Sequence, residues 1–333
     1  MKLFKRILLI CLAGTTALFS ACFGNQTTVS SNLFAGSYWL KSTEAGGVAT
    51  VNETCVYKIQ FKPNVPEDGS APVLSSDMQG TLTTALSKSA YNGVECYKFT
   101  TETVITGTYY HQSKNQTIND YACSEVYFLG LTDKLTPIYS KKYLLSTIPL
   151  ISNLSIEPTF EIMEYTVETV YDRTEQTATV TVKGGDKSTP NYKLDDSTKT
   201  YQNYAKSGAF FDNESILFSL RAADFSENGF SNSFQTIDAL AQKIHRMNVA
   251  VNSSDATGEI EIPAYSQAGV EKTVTFPVFN VNLSISSTFS GSAINLYYAT
   301  DIATYHRRLI KMQTQLAFNA GYIVYTLSSV SYS

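Results

Sequence analysis

The stretch ETVYDRTEQTATVTV, Glu168 to Val182, contains two extended runs separated by a short polar turn at residues 172–174. In the second run, Val180 and Val182 alternate with threonines, and this period of two gives a strand one apolar and one polar face. β-Branched residues on both sides of a polar turn predict a β-hairpin. The hairpin indicates a mainly β fold for the chain.

The same pattern extends outward along the chain. Apolar residues make up 43% of the composition and charged residues 16%, and the 22 Tyr and 18 Phe favour strands. A second hairpin is expected from Val94 to Leu129, with its turn near Ser113–Thr117. Further strands are predicted at 56–61, 80–86, 160–167, 248–251, 258–262, 272–285, 293–298, 309–315 and 322–328. We therefore expect a large antiparallel curved sheet that forms an open or half-closed barrel.

One segment, FDNESILFSLRAADF from Phe211 to Phe225, has the capping signals of a helix instead of the alternation of a strand. Asp212 or Asn213 can cap its first turn through a side-chain oxygen. Glu214 places a negative charge near the positive end of the helix dipole. We expect one short helix at about residues 212–222.

This short helix must dock, because about ten residues do not stay helical alone in water. Ile216, Leu217 and Leu220 form an apolar face at helical spacing, which predicts an amphipathic helix covering the open side of the curved sheet as a plug or lid. Asp212 and Arg221 are too far apart for an i to i+4 ion pair. We expect Asp212 to act as a cap and Arg221 as a charge at the helix end.

This helix and the segments near the C-terminus together resemble an uncharacterised family of bacterial envelope domains. The matching segments are Phe211–Arg221, Tyr305–His306, Leu309–Lys311 and Gly321–Leu327. In that family, a short aspartate-led helix ending in Leu-Arg precedes the last strands of an antiparallel barrel. The resemblance covers most of residues 35–328, and it implies a fold like that of the curved-sheet carriers of lipids and lipoproteins, with no established activity.

Length and pattern predict a single β-rich, barrel-like domain at residues 35–333. The segments 61–78 and 145–159 are expected to be insertions relative to the family pattern. A sub-boundary near 151–158 is left open, so the sequence permits one β-domain or two.

The amino terminus has the pattern of an export signal. Lys2, Lys5 and Arg6 precede an apolar run, Ile7–Phe19, which is shorter than the roughly 20 residues of a membrane-spanning helix. The run ends in Phe19-Ser20-Ala21-Cys22, which resembles the bacterial lipobox, in which the cysteine is diacylated and becomes the first mature residue. The alternative is an ordinary secretory signal in which the cysteine position is accidental.

A lipid on Cys22 predicts a location at the cell membrane or outer membrane, with the folded domain outside the cytoplasm. Residues 1–21 are then the lipoprotein signal peptide and residues 22–34 a flexible tether. Loss of the three signal-peptide charges moves the formal net charge from -4 to -7. This acidic balance argues against nucleic acid as a partner.

No catalytic constellation is recognisable in the sequence. It contains no Gly-x-Ser-x-Gly elbow, phosphate-binding glycine loop or His-Glu-x-x-His pair. His111, His245 and His306 are far apart, and we expect them at the surface or at strand ends. We predict a protein that is not an enzyme and has no cofactor and no metal site.

The remaining cysteines of the exported protein bear on its redox state. Cys55, Cys96 and Cys123 lie in predicted strands, and an oxidising envelope permits one disulfide among them, with three possible pairings. The alternative is that all three are reduced core residues.

The tyrosine pairs suggest one further hypothesis, a binding surface for sugars. Tyr109-Tyr110, Tyr297-Tyr298 and the residues near Tyr192, Tyr201 and Tyr204 can form a platform for sugar rings, or can simply pack across strands. Because strand side chains alternate, one member of each pair should point inward and the other outward.

Two functions of different classes follow from these observations. In the first, a membrane-anchored carrier or sensor holds a hydrophobic small molecule in the concavity of the sheet. In the second, a surface interaction or structural lipoprotein contacts other envelope components, with glycan binding as one form of this contact, and has a core filled by its own side chains. An unfilled cavity of about 300 to 1,000 Å³ beneath the helix would favour the carrier.

Overall fold

The computed structural model describes residues 52–65, 72, 74–111, 114–131, 134–152, 155–190, 192–205, 209–223, 225, 230–251, 257–285, 294–301, 306–316 and 320–332. The predicted signal peptide, the tether and Cys22 lie outside these residues.

Sixteen strands form one sheet in the described part of the chain. They are β1 (Glu53–Pro63), β2 (Ser75–Ser76), β3 (Gln79–Tyr91), β4 (Val94–His111), β5 (Lys114–Leu131), β6 (Lys134–Ser152), β7 (Ser155–Asp172), β8 (Thr177–Gly184), β9 (Ser197–Gln202), β10 (Ser231–Asp238), β11 (Lys243–Val251), β12 (Thr257–Gln267), β13 (Val270–Ile285), β14 (Ile294–Ala299), β15 (Leu309–Gln315) and β16 (Gly321–Tyr332). Between β9 and β10, two 3₁₀ turns (Asn213–Ser215 and Leu220–Ala222) flank an α-helical turn (Ile216–Ser219). We call residues 213–222 the central helix.

The order of the strands closes part of the sheet into a ring. Neighbouring strands run β10-β11-β13-β14-β15-β16-β1-β3-β4-β5-β6-β7-β8-β9, and β2 pairs with β4. Strand β12 pairs with both β13 and β16, so β12 to β16 form a closed five-stranded barrel. The remaining strands continue from it as a long, curved, antiparallel sheet. The expected mainly β fold with a curved, partly closed sheet and one short helix is confirmed.

Strands β1 and β16 join the long sheet to the closed ring. Their ladder runs from Glu53 opposite Tyr332 to Pro63 opposite Gly321, with a register shift at Val56/Tyr57. Along β1, buried positions alternate with more exposed ones, as a strand with one core face requires. The first and last strands of the described chain are therefore neighbours in the centre of the sheet.

Side chains join the two outer strands of the sheet, β9 and β10. Tyr201 of β9 and Ile237 of β10 belong to the same buried apolar cluster, which also contains Tyr204 and Phe210. Lys199 of β9 donates a hydrogen bond of 2.6 Å to the carbonyl oxygen of Gln242, beyond β10. The long sheet thus approaches closure through side chains as well as through the isolated parallel bridge between Phe210 and Gln235.

The hairpin from which the fold was deduced is formed by β7 and β8. The chain turns after Asp172, whose Oδ1 accepts hydrogen bonds of 2.9 Å from the backbone N–H groups of Thr174 and Glu175. The turn, residues 173–176, ends two residues later than the predicted 172–174, and β8 begins at Thr177. The second predicted hairpin is formed by β4 and β5, whose ladder runs without interruption from Tyr97–Phe128 to His111–Lys114.

Four strands of the described chain were not predicted from the sequence: β2, β6, β9 and β10. The segment 145–159 is not an insertion, because it supplies the end of β6 and the start of β7. The open sub-boundary at 151–158 is the tip of this hairpin, where Ser152 still pairs with Ser155. Alternation is lost in this part of β6 because four consecutive residues, 146–149, are buried, and Pro149 weakens the strand signal further. Within 61–78, residues 61–63 belong to β1, and β2 lies at Ser75–Ser76.

Gly321 begins β16 at a place where the backbones of β1 and β16 approach closely. Its φ is +145°, and a Cβ there would lie 2.4 Å from the carbonyl oxygen of Lys62. We expect Gly321→Ala to lower the free energy of unfolding by about 1 to 3 kcal/mol, because the strand must shift and the residue is strained. The matched control is Gly258→Ala, since a Cβ at Gly258 meets no atom within 4 Å. Urea unfolding of both variants tests this, and equal midpoints would contradict it.

Candidate functional site: the central helix and its buried charges

The central helix begins at Asp212, which caps it as the sequence suggested. Asp212 has extended backbone angles, φ -61° and ψ 138°, and its Oδ1 accepts a hydrogen bond of 2.8 Å from the N–H of Glu214. Its other oxygen, Oδ2, accepts hydrogen bonds from the hydroxyls of Ser140 on β6, at 2.6 Å, and Tyr171 on β7, at 2.5 Å. The cap therefore also fixes the start of the helix to the long sheet.

Burial and hydrogen bonding act in opposite directions on the Asp212 carboxyl. Burial raises its pKa, and the hydrogen bonds from Ser140, Tyr171 and Glu214 offset part of this effect. All three partners donate, so the arrangement is built for a carboxylate that only accepts.

The expected amphipathic character of the helix is wrong. Residues 215–223 are all buried, and Leu220 is 0% exposed. Phe218 stacks on Phe99 of β4 at a centroid distance of 5.3 Å and packs at 5.7 Å from Phe128 of β5. From β14, the hydroxyl of Tyr298 donates a hydrogen bond of 2.8 Å to the carbonyl oxygen of Leu217. The helix is surrounded by the sheet and does not simply cover one side of it.

Arg221 is not a charge at the helix end in solvent, as the sequence suggested, but one member of a buried ion cluster. Its Nη1 donates to Glu53 Oε1 of β1 at 2.7 Å, and its Nε and Nη2 donate to the carbonyl oxygen of His306 at 3.1 and 2.9 Å. Arg308 donates to Glu53 Oε2 through Nη2 at 2.7 Å and through Nε at 3.2 Å. We call Arg221, Glu53 and Arg308 the charge cluster.

The charge cluster keeps its carboxylate ionised. Burial raises the pKa of Glu53, but the charges and hydrogen bonds of Arg221 and Arg308 outweigh this and hold the pKa well below its ordinary value. Cys55 lies beside it, with Sγ 3.4 Å from Glu53 Oε1. Burial, followed by the charge of Glu53, raises the pKa of Cys55 to about 12, so the thiol stays neutral.

A second buried ion pair lies at the start of the helix. Lys142 Nζ of β6 is 3.5 Å from Glu214 Oε1 and 5.5 Å from the centre of the Tyr165 ring. Burial opposes the charged form of Lys142, but the neighbouring Glu214 carboxylate raises its pKa. Both ends of the helix are thus fixed to the sheet by buried charges.

A cavity of about 20 Å³ lies beside the helix, between the charge cluster and apolar side chains. Its lining includes Glu53, Cys55, Arg221 and Arg308, together with Leu217 and Phe218 of the helix. A volume of this size accommodates about one water molecule and no drug-sized ligand.

The three histidines are buried, so the expected position at the surface is wrong, whereas the expected position at a strand end is correct for His111. His111 ends β4, His245 lies in β11, and His306 lies in the turn before β15. His245 Nε2 is 3.5 Å from Asp238 Oδ2, and burial lowers the pKa of His245 and raises that of Asp238 to about 7. Within the described residues, no three side chains of His, Cys, Asp or Glu are grouped so as to hold a metal ion.

Cys55, Cys96 and Cys123 are free thiols, so none of the three possible disulfides is present. For the pairing of Cys55 with Cys123, strand register explains this. Cys55 lies opposite Thr84, Thr84 lies opposite Thr101, and Thr101 lies opposite Ser124, the neighbour of Cys123. Cys55 and Cys123 are therefore separated by three strand spacings, about 14 Å. A disulfide needs Cα atoms within about 7 Å.

The tyrosine pairs point in opposite directions, as alternation requires. Tyr109 is 0% exposed and Tyr110 is 38% exposed. Tyr298 is buried and Tyr297 is half-buried, while Tyr201 and Tyr204 are buried in the cluster between β9 and β10. Most of these rings therefore contribute to the core and do not form an exposed platform.

Glu53, Arg308, Ser140, Lys142 and Tyr171 were missed as members of this site. For Glu53 a local signal exists, because it has the same strand phase as Cys55 and Tyr57, and all three are buried. The others have no such signal, since their partners are distant in sequence.

No family model matches the chain, and no curated protein matches it. Among solved structures, a β-barrel-like protein of the domain of unknown function DUF1849, from Brucella abortus, is similar with a TM-score of 0.50 and 10% identity. The match covers 85% of this chain and 98% of that one. The fold is β-barrel-like. The likeness concerns the fold alone and agrees with the expected resemblance to uncharacterised β-barrel domains.

Among the described residues, no helix is long and apolar enough to cross a membrane.

Removing one cation from the charge cluster should be costly. We expect Arg221→Met to lower the free energy of unfolding by about 3 to 5 kcal/mol, because it leaves the buried Glu53 with one of its two partners. The control is Lys98→Met, which breaks a partly exposed pair with Glu125 (Nζ–Oε2 distance 2.7 Å) and should cost less than about 1 kcal/mol. Chemical denaturation measures both, and similar losses would show that burial of the cluster carries no special cost.

Proposed function

We propose that this protein is a non-catalytic cell-envelope lipoprotein, anchored in the membrane through a lipid on Cys22, with a structural or interaction role. The observation that carries this proposal is the small free volume beside the central helix. The cavity beside the central helix has about 20 Å³, whereas ligand pockets have about 300 to 1,000 Å³. This favours a core packed by its own side chains over a carrier for a hydrophobic molecule.

The contacts of the helix support its role as a plug. To open the space that it occupies, the protein would have to break the Arg221–Glu53 ion pair, the Phe218–Phe99 contact and the two hydroxyl bonds to Asp212. Separating a buried ion pair leaves uncompensated charges in the interior. These contacts favour a plug over a lid that opens for a ligand.

The surroundings of the charged groups support a role without catalysis. Glu53 accepts from two guanidinium groups and Asp212 from three donors, and all of these groups are buried. A catalytic acid or base needs a route to its substrate. The formal net charge is -4 for the full sequence and becomes -7 after loss of the three signal-peptide charges, so we propose other envelope components, rather than nucleic acid, as partners.

Leu220→Asp tests whether the helix is a plug. A carboxylate at this fully buried position should cost more than about 4 kcal/mol and prevent stable folding. The control is Val270→Asp, at a position that is 63% exposed, which should unfold like the parent. If Leu220→Asp also unfolds like the parent and native mass spectrometry of the parent from its own host shows a co-purifying lipid, the helix is a lid and the carrier function is correct.

Cys22→Ala tests the anchor. The variant should lose incorporation of an alkyne-labelled fatty acid and should no longer fractionate with membranes, because the thiol that accepts the lipid is absent. Cys11→Ala, within the signal peptide, is the matched control and should be labelled normally. Labelling that persists in Cys22→Ala would contradict the lipid attachment.

A further inference from the structure

The cavity at the charge cluster has the properties of a small binding site. It has a volume of about 20 Å³, and its lining includes Arg221, Arg308, Glu53 and Cys55. Apolar residues such as Leu86 and Phe99 also contribute to the lining. One atom-sized ligand fits, whereas sulfate, phosphate and carboxylates do not.

The lining carries more positive than negative charge. Two guanidinium groups face one carboxylate, and the Cys55 thiol is neutral because burial raises its pKa. His306, beside the cluster, adds no charge of its own. Burial, followed by the charges of Arg308 and Arg221, lowers its pKa, so the imidazole is neutral. Within the lining of the cavity this leaves an excess of one positive charge, which is costly to bury, and an anion in the cavity would balance it.

Hydrogen-bond donors also remain at the cluster. Arg308 uses Nε and Nη2 for Glu53 and Tyr332, and Nη1 makes no hydrogen bond to the described residues. Arg221 Nη1 uses one of its two N–H groups for Glu53 Oε1. Guanidinium groups only donate, so these N–H groups can serve an acceptor placed in the cavity.

From the size, charge and donors together, we propose that the cavity binds one monovalent, water-sized anion of the halide class, such as chloride, between Arg221 and Arg308. The anion would join the central helix to the turn before β15, next to the Glu53 carboxylate of β1. This site is independent of the proposed envelope function.

Thermal unfolding of the full chain, purified in detergent, tests the proposal. Sodium chloride and sodium bromide are compared with sodium gluconate at equal ionic strength, because gluconate is too large for the cavity. We expect a saturable rise in Tm with halide concentration, of about 2 to 4 °C at ten times the dissociation constant. Arg308→Gln should abolish the rise, and Lys98→Gln, at the partly exposed pair with Glu125, should retain it.

Crystals grown in sodium bromide provide a second measurement, which does not depend on the folding of Arg308→Gln. An anomalous bromine peak between the guanidinium groups of Arg221 and Arg308 would support the site. Equal Tm values in all three salts, or density at this position without an anomalous signal, would show that the cavity holds water and would overturn the proposal.

Discussion

The structure depends on the burial of the charge cluster. Glu53 on β1 accepts from Arg221 at the end of the central helix and from Arg308 next to β15. Taking three charged groups out of water costs several kcal/mol for each ion, and only close hydrogen bonds between them offset that cost. The folded core therefore requires all three groups in place, since an incomplete cluster would leave an unpaired charge in it.

The opposite end of the helix obeys the same constraint. Asp212 accepts from Ser140 and Tyr171, on two neighbouring strands of the long sheet, and Glu214 lies beside Lys142. The helix thus acts as a strut between the long sheet and the strands near the closed ring. Its apolar residues fill the space between these two fixed ends, which explains why the concavity of the sheet contains no ligand-sized cavity next to the cluster.

Local patterns in the sequence were sufficient for most of the fold. The alternation at Val180 and Val182 predicts β8. The capping residue Asp212 predicts the start of the central helix to within one or two residues. Strand β6 was missed because Pro149 and its buried neighbours obscure the alternation. Strand β10 was missed because buried side chains lie on both of its faces, so alternation is lost there as well. These buried residues include Phe234, Thr236, Ile237 and Asp238.

The sequence by itself determined the strand class, the main turns and the helix cap, because each depends on residues within a few positions of one another. Only the tertiary structure decided the role of Arg221, which lies 168 residues from Glu53, and that of Arg308, which lies 255 residues from it. Whether a helical arginine ends in solvent or in the core depends on where a distant carboxylate is placed. That placement is fixed by the pairing of β1 with β16 and by the ring that β12 closes.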